Sequence, residues 1–364
     1  MKTVLKNLLR PFYRKGKSFA KNAKMNIRYM LSQVFCKIPK QSDIPIEVCL
    51  VTVQKDFDTL KLCLESIRKF VRHPITKISI VSKENELIKE FCDSNSCVFV
   101  NELSILDYVL EKFQNMNEAN LKGREGWFFQ QFLKLGFDKI CEQEHYLVVD
   151  TDTIFLKPRI FKFGKTTIFE YSDEWHIPYQ NAYKKIMGFG YSSDKSFVTH
   201  CMLFEKAILK ELKSYIENKH KVSWDNAIIE TADYSSTSFF SEYETYGNFF
   251  LHFHKNNVKR IYWFNYASSN FINAEEYPFW AKSLSSHAYL RPNVEPSLRV
   301  LEKVSKVADI LGIRYGGEVK NIFEFSTKGK HSTDAVFVNC ETLNSLSSYE
   351  RKSLEEFSRE SLIT

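Results

Sequence analysis

The chain has 364 residues, 44% of them hydrophobic and 15% aromatic, which is ample for one large core or two smaller ones and excludes global disorder. Its net charge of +7 is uneven: residues 1–40 hold eleven Lys and Arg and no Asp or Glu, so the remainder is mildly acidic and offers no nucleic-acid footprint. Eight cysteines lie scattered without a CxxC pair, which argues against zinc ligation and fits a reduced, cytoplasmic compartment.

Residues 1–44 form a basic arm in which Val4, Leu8, Phe12, Ile27, Leu31 and Phe35 interleave with the cations. The arm lacks the roughly 18 apolar residues of a membrane span and any secretory h-region. Two uses stay open for it. One is an interfacial helix on an anionic leaflet, which would make the protein peripheral on the inner face of the cytoplasmic membrane. The other is a solvated arm, or a helix packed on the body.

Residues 48–53 predict a buried strand, and Leu60, Cys63, Leu64, Ile67 and Phe70 a helix behind it. A second strand follows at 78–81, a helix at 86–91 and a third strand at 98–100. This alternation predicts an α/β fold with a mostly parallel, Rossmann-like sheet flanked by helices, whose ligands bind at the carboxyl ends of the strands. Helical stretches at 105–113 and 127–140 then lead into the apolar strand Tyr146-Leu147-Val148-Val149.

Further on come strand-like residues 167–170 and an aromatic, polar loop holding Trp175, His176, Tyr179 and Tyr183. Residues 197–204 predict another strand, followed by a helix to about residue 219. The stretch 238–250 is rich in acids and aromatics, residues 260–264 predict a late strand, and 284–287 close this region. Residues 298–311 predict an amphipathic helix within a helical extension and tail spanning 293–364. There is no internal repeat and no glycine-rich phosphate loop.

The strand at 146–149 runs straight into Asp150-Thr151-Asp152, with apolar residues resuming at Ile154-Phe155-Leu156. Alternate residues of an extended chain point the same way, so the two carboxylates converge where the strand leaves the sheet. Two such charges repel unless a cation lies between them, and hard oxygen donors suit Mg²⁺ or Mn²⁺. Most acidic pairs of this spacing are surface turns or helix caps. The apolar context on both sides favours a functional pair here.

These features, in their order, resemble a GT-A nucleotide-diphospho-sugar glycosyltransferase. The chain is similar to bacterial glycosyltransferase-like proteins of polysaccharide and capsule loci. The matching stretches are Val51 to Asp56, Trp127 to Leu135, the acidic pair, Phe197 to Phe204, Ser241 to Phe249, and Ser286-His287. Together they cover a domain of residues 45–292.

The resemblance implies that Asp150 and Asp152 bind Mn²⁺ or Mg²⁺ on the diphosphate of a nucleotide-sugar donor, with Thr151 between them and His287 as a third ligand from a late strand. It implies that Thr52 and Lys55 meet the nucleotide, and that Gln130, Gln131 and Lys134 approach the donor, Lys134 neutralising a phosphate oxygen. Asp56 serves equally well as a helix cap. Glu242 and Glu244 are the candidate bases for an acceptor hydroxyl on a glycan or a lipid-linked sugar, with partial burial raising the pKa. Tyr243 and Tyr246 offer flat faces for a sugar, and His200 faces either the donor or the core. Solvated polar faces and ordinary core packing account for the same residues without function. Two rival readings of the whole chain are a haloacid-dehalogenase-like phosphatase using Asp150 as nucleophile and a non-catalytic membrane-associated scaffold.

Overall fold

A computed structural model describes residues 20–53, 56–236, 238–267 and 277–285. Lys55, His287 and the 293–364 extension lie outside the described residues.

The described chain opens with helix α1 over residues 20–35. It then alternates through β1 (Ile46–Val51), α2 (Phe57–Phe70), β2 (Ile75–Ser82), α3 (Glu86–Ser94) and β3 (Val98–Asn101). Helices α4 (Val109–Gln114) and α5 (Glu125–Gly136) lead into β4 (His145–Val149), after which come β5 (Thr153–Phe155), β6 (Lys162–Phe163) and β7 (Thr166–Tyr171). The rest runs through α6 (Ile177–Met187), β8 (Cys201–Glu205), α7 (Lys206–His220), α8 (Trp224–Thr231), α9 (Glu242–His254), β9 (Val258–Tyr262), β10 (Asn265–Ala267) and β11 (Ser283–Ser285).

The main sheet has the order β3-β2-β1-β4-β8, parallel throughout except for β8, which runs antiparallel to β4. Every residue of β1 is buried, as a central strand covered on both faces requires. Alternate residues feed separate cores. Val48, Leu50, Leu147 and Val149 pack with Leu60, Leu64 and Ile67 of α2, while Cys49, Val51, Tyr146 and Val148 pack beneath α5 and the later helices. Two small sheets, β10-β11-β5 and β6-β7-β9, flank this body. The expectation of an α/β fold with a mostly parallel sheet flanked by helices is therefore met.

Local chemistry sets the element ends. Asn85 caps α3 by accepting from Leu87 N at 2.8 Å, and Ser241 caps α9 by accepting from Glu244 N at 3.3 Å. Gly188 ends α6 at φ 87°, a left-handed conformation in which a Cβ is strained.

The loop expected through Tyr179 and Tyr183 is instead helix α6, opened by Pro178 in its first turn, and the late strand expected at 260–264 lies at Val258–Tyr262. Other boundaries differ as well. The helix placed at 105–113 is replaced by a 3-10 turn at Glu102–Ser104 and then α4, and α5 gives way to a 3-10 turn at Phe137–Lys139. The strand placed at 197–204 starts only at Cys201. Its ladder with β4 ends at the Val149–Cys201 pair, and His200 turns at φ 61° so that its carbonyl accepts from Asp150 N at 2.8 Å.

Helix α9 lies hard against the 196–200 segment. A Cβ on Gly247 would stand 2.6 Å from Cδ2 of Phe197, whose ring is fully buried. Alanine is the better helix former by about 1 kcal/mol, but overpacking a rigid neighbour costs roughly 1–3 kcal/mol. Gly247→Ala is expected to lower the denaturation midpoint in urea. A midpoint at or above that of the wild type contradicts this packing.

Candidate functional site

The path from β1 through α2 leads to β2 and β3 on one side of β1, while β4 and β8 lie on the other. The strand order thus reverses between β1 and β4, leaving a crevice at their carboxyl ends, where α/β sheets bind ligands. Thr52 leaves β1 there, buried, with its N–H donating to Val81 O at 2.9 Å. Asp150 leaves β4 beside it and its carbonyl accepts from Thr153 N at 2.9 Å, closing a tight turn. Thr151 is buried in that turn and Asp152 is partly exposed. The turn is forced, because β5 on its far side pairs with β11 in a different sheet.

The turn brings Asp150 and Asp152 together with His200. One ligand atom from each of the three can be chosen so that all lie within 4.8 Å of one another. The antiparallel pairing of β8 with β4 delivers His200, whose Nδ1 lies 3.1 Å from Asp150 Oδ2 and whose ring stacks on Trp263 at 4.9 Å. Two carboxylates and one imidazole form a donor set that fits Mn²⁺ or a similar divalent ion, and the group could hold a metal.

Behind Asp150 stands Lys134, a buried residue of α5. Its Nζ donates to Asp150 Oδ1 and to Glu242 Oε1, each at 2.7 Å, and lies 3.4 Å from the Tyr243 hydroxyl. Tyr243 donates to the same Asp150 Oδ1 at 2.9 Å. The amide of Gln131, with its nitrogen turned inward, donates to Glu242 Oε2 at 3.0 Å and to Phe240 O at 2.9 Å. Tyr146 of β4 donates to the Lys134 carbonyl at 2.8 Å, tying helix to strand.

The electrostatics follow from this packing. Burial works against the Lys134 charge, but Asp150 and Glu242 outweigh it and raise the ammonium pKa. Burial likewise works against the Asp150 charge, and Lys134 with His200 overcomes it, holding the carboxyl below its ordinary range. Burial disfavours charged His200, while Asp150 and then Asp152 pull its pKa up. To hold a cation, His200 would give up its imidazole proton.

Asp150, Lys134, Gln131 and Glu242 thus meet in one network, with Thr52 and Thr151 at the crevice. Gln130, one turn before Lys134, is half-buried at the edge. Asp56 occupies the N-cap position of α2 without a side-chain cap bond. Glu244 is separate: it accepts from Ser196 Oγ at 2.6 Å, Phe197 N at 3.3 Å and Asn248 Nδ2 at 3.1 Å. Lys134 faces two carboxylates rather than the crevice. The sequence leaves His200 facing either the donor or the core and offers Tyr243 as a flat face for a sugar, whereas in the structure both side chains meet Asp150. The polar residue directly ahead of Cys201-Met202-Leu203-Phe204 was the available signal for His200, useful only once β8 is paired with β4.

An α/β body with an Asp-x-Asp turn and a histidine that could together hold a cation at its switch point is the class these features define. The chain belongs to a family of unknown function, DUF6492, whose model matches residues 44–289. No curated protein matches it. Among solved structures it is similar to mouse xyloside xylosyltransferase 1 (10% identity, TM-score 0.38, covering 68% of this chain and 100% of that one). It is also similar to galactosyltransferase LgtC in complex with donor and acceptor sugar analogues (10%, 0.39, 73% and 95%). A third is the glycosyltransferase GlyE of Streptococcus pneumoniae (10%, 0.35, 76% and 64%).

Glu244 generates a pH prediction. Burial raises its carboxyl to about 7 despite its three donors, from an ordinary value of 4.5. The folded chain therefore holds this proton more tightly than the unfolded one, so the residue costs nothing below pH 4.5 and its cost grows as pH rises to about 7. Glu244→Gln, which keeps the shape, is expected to stabilise the protein by a few kcal/mol at pH 8 and by little at pH 4.5. Melting curves of both proteins across that range check it, and a difference independent of pH contradicts it.

Proposed function

We propose that this protein is a metal-dependent GT-A glycosyltransferase. It moves a sugar from a nucleotide-diphospho-sugar to a glycan or lipid-linked acceptor in cell-surface polysaccharide synthesis. The observation that carries the reading is the convergence of Asp150, Asp152 and His200 within 4.8 Å at the switch point between β1 and β4. A hard cation there, when bound, neutralises the charge that grows on a departing nucleoside diphosphate.

The chain's own residues then divide the work. Asp150, Asp152 and His200 would hold the ion. Lys134 positions Asp150 by occupying Oδ1, which leaves Oδ2 toward His200 and Asp152. Glu242 fixes Lys134, and Gln131 fixes Glu242. Thr52 and Thr151 stand at the crevice, Gln130 is assigned to the nucleotide, and Lys55 remains a candidate nucleotide contact from outside the described residues. Glu244 braces the turn at residues 196–197. His287 remains a candidate further ligand from outside the described residues. With a lipid-linked acceptor the reaction would take place at the cytoplasmic membrane face. Among the described residues no helix is long and apolar enough to cross a membrane.

The test is a thermal-shift screen of UDP-, GDP-, CMP- and dTDP-sugars, each with Mn²⁺ and with EDTA. One donor is expected to raise the melting temperature only with metal, and Asp150→Asn or Asp152→Asn to cut its turnover roughly 100-fold or more. No stabilisation by any donor, together with Mg²⁺-dependent hydrolysis of simple phosphoesters, would replace this reading by a phosphatase with Asp150 as nucleophile.

A further inference from the structure

Helix α1 buries one face and exposes an opposite face that is just as apolar. Met25 and Tyr29 are buried with Phe264, Trp280 and Ala281, and Tyr29 meets Phe264 and Phe279 edge-on at 5.2 and 5.3 Å. Arg28 reinforces the seat, reaching Asp173 at 3.0 Å and lying 3.9 Å over the Tyr262 ring. The helix is therefore already anchored to the body without its other side.

That other side carries Ile27, Met30, Leu31, Val34 and Phe35, each at least half exposed. Their spacing is i, i+3, i+4, i+7, i+8, which at about 100° per residue makes one continuous stripe roughly half a turn from Met25 and Tyr29. An ordinary surface helix turns polar residues to this side. Exposed Lys21 and Lys24 stand on the helix, exposed Lys37 and Lys40 follow it, and residues 1–40 contain no acid at all.

We propose that this stripe is a docking surface for an anionic lipid membrane, with α1 lying in the interface while its opposite face stays bolted to the α/β body. An apolar band flanked by exposed cations matches both components of such a surface, acyl chains below and negative headgroups around. A second copy of the chain would need acidic groups to meet the cations, and the mated stripe itself supplies none. The assignment stands whatever reaction the crevice performs.

The full-length protein would be centrifuged with phosphatidylcholine–phosphatidylglycerol vesicles and with pure phosphatidylcholine vesicles. The comparison variant is Leu31→Ser/Phe35→Ser, which keeps every charge. The wild type is expected to sediment with the anionic vesicles and much less with the neutral ones. The variant is expected to lose at least ~10-fold in partitioning, with an unchanged melting temperature and an unchanged mass by light scattering. A wild type that stays in the supernatant, or a variant that sediments like it, overturns the proposal. So does a melting temperature that falls in the variant, the mark of a stripe covered by the chain itself, or a wild-type dimer that the variant breaks.

Discussion

Everything around the crevice depends on one buried ammonium. Removing a lysine from water costs several kcal/mol unless its charge is matched and its donors are filled. Lys134 meets that demand with two carboxylates at 2.7 Å, Asp150 from the end of β4 and Glu242 from the start of α9. The pairing ties α5, the central sheet and α9 at a single point. It also places two acids close together without leaving both uncompensated, so Asp150 is ionised and oriented before any ligand arrives.

The consequence is a division between the two oxygens of Asp150. Oδ1 is taken by Lys134 and Tyr243, whereas Oδ2 lies toward His200 in the group completed by Asp152. The sheet order puts this group at the reversal between β1 and β4, and the chain's departure into the β10-β11-β5 sheet turns Asp152 back toward Asp150. A preformed acidic cluster of this kind, backed by a buried cation, is suited to a metal ion and a charged phosphate together. It is the physical basis on which glycosyl transfer is proposed.

The parts of this picture that rest on local pattern were legible in the sequence. The runs at 48–51 and 146–149 are apolar on both faces, as buried central strands must be, and Asp150 and Asp152 follow the second directly. The parts that rest on long-range pairing were not. Glu242 reaches Lys134 across 108 positions, and nothing in an amphipathic pattern says which acid neutralises which base. His200 reaches Asp150 only because β8 pairs antiparallel with β4, and an apolar strand pattern extended to residue 197 hid the left-handed turn that aims it. Glu242 and Glu244 read alike as candidate bases in the sequence, and only the packing shows that the first meets Lys134 while the second meets Ser196.

The central claim is that Asp150, Asp152 and His200 together hold one divalent cation. Electron paramagnetic resonance of free Mn²⁺ during titration of the wild type and of His200→Ala tests it most directly, with circular dichroism confirming the fold of both. The account predicts a single site in the wild type, weakened by at least ~10-fold in His200→Ala. Unchanged affinity in His200→Ala, or no bound Mn²⁺ in the wild type, would contradict it.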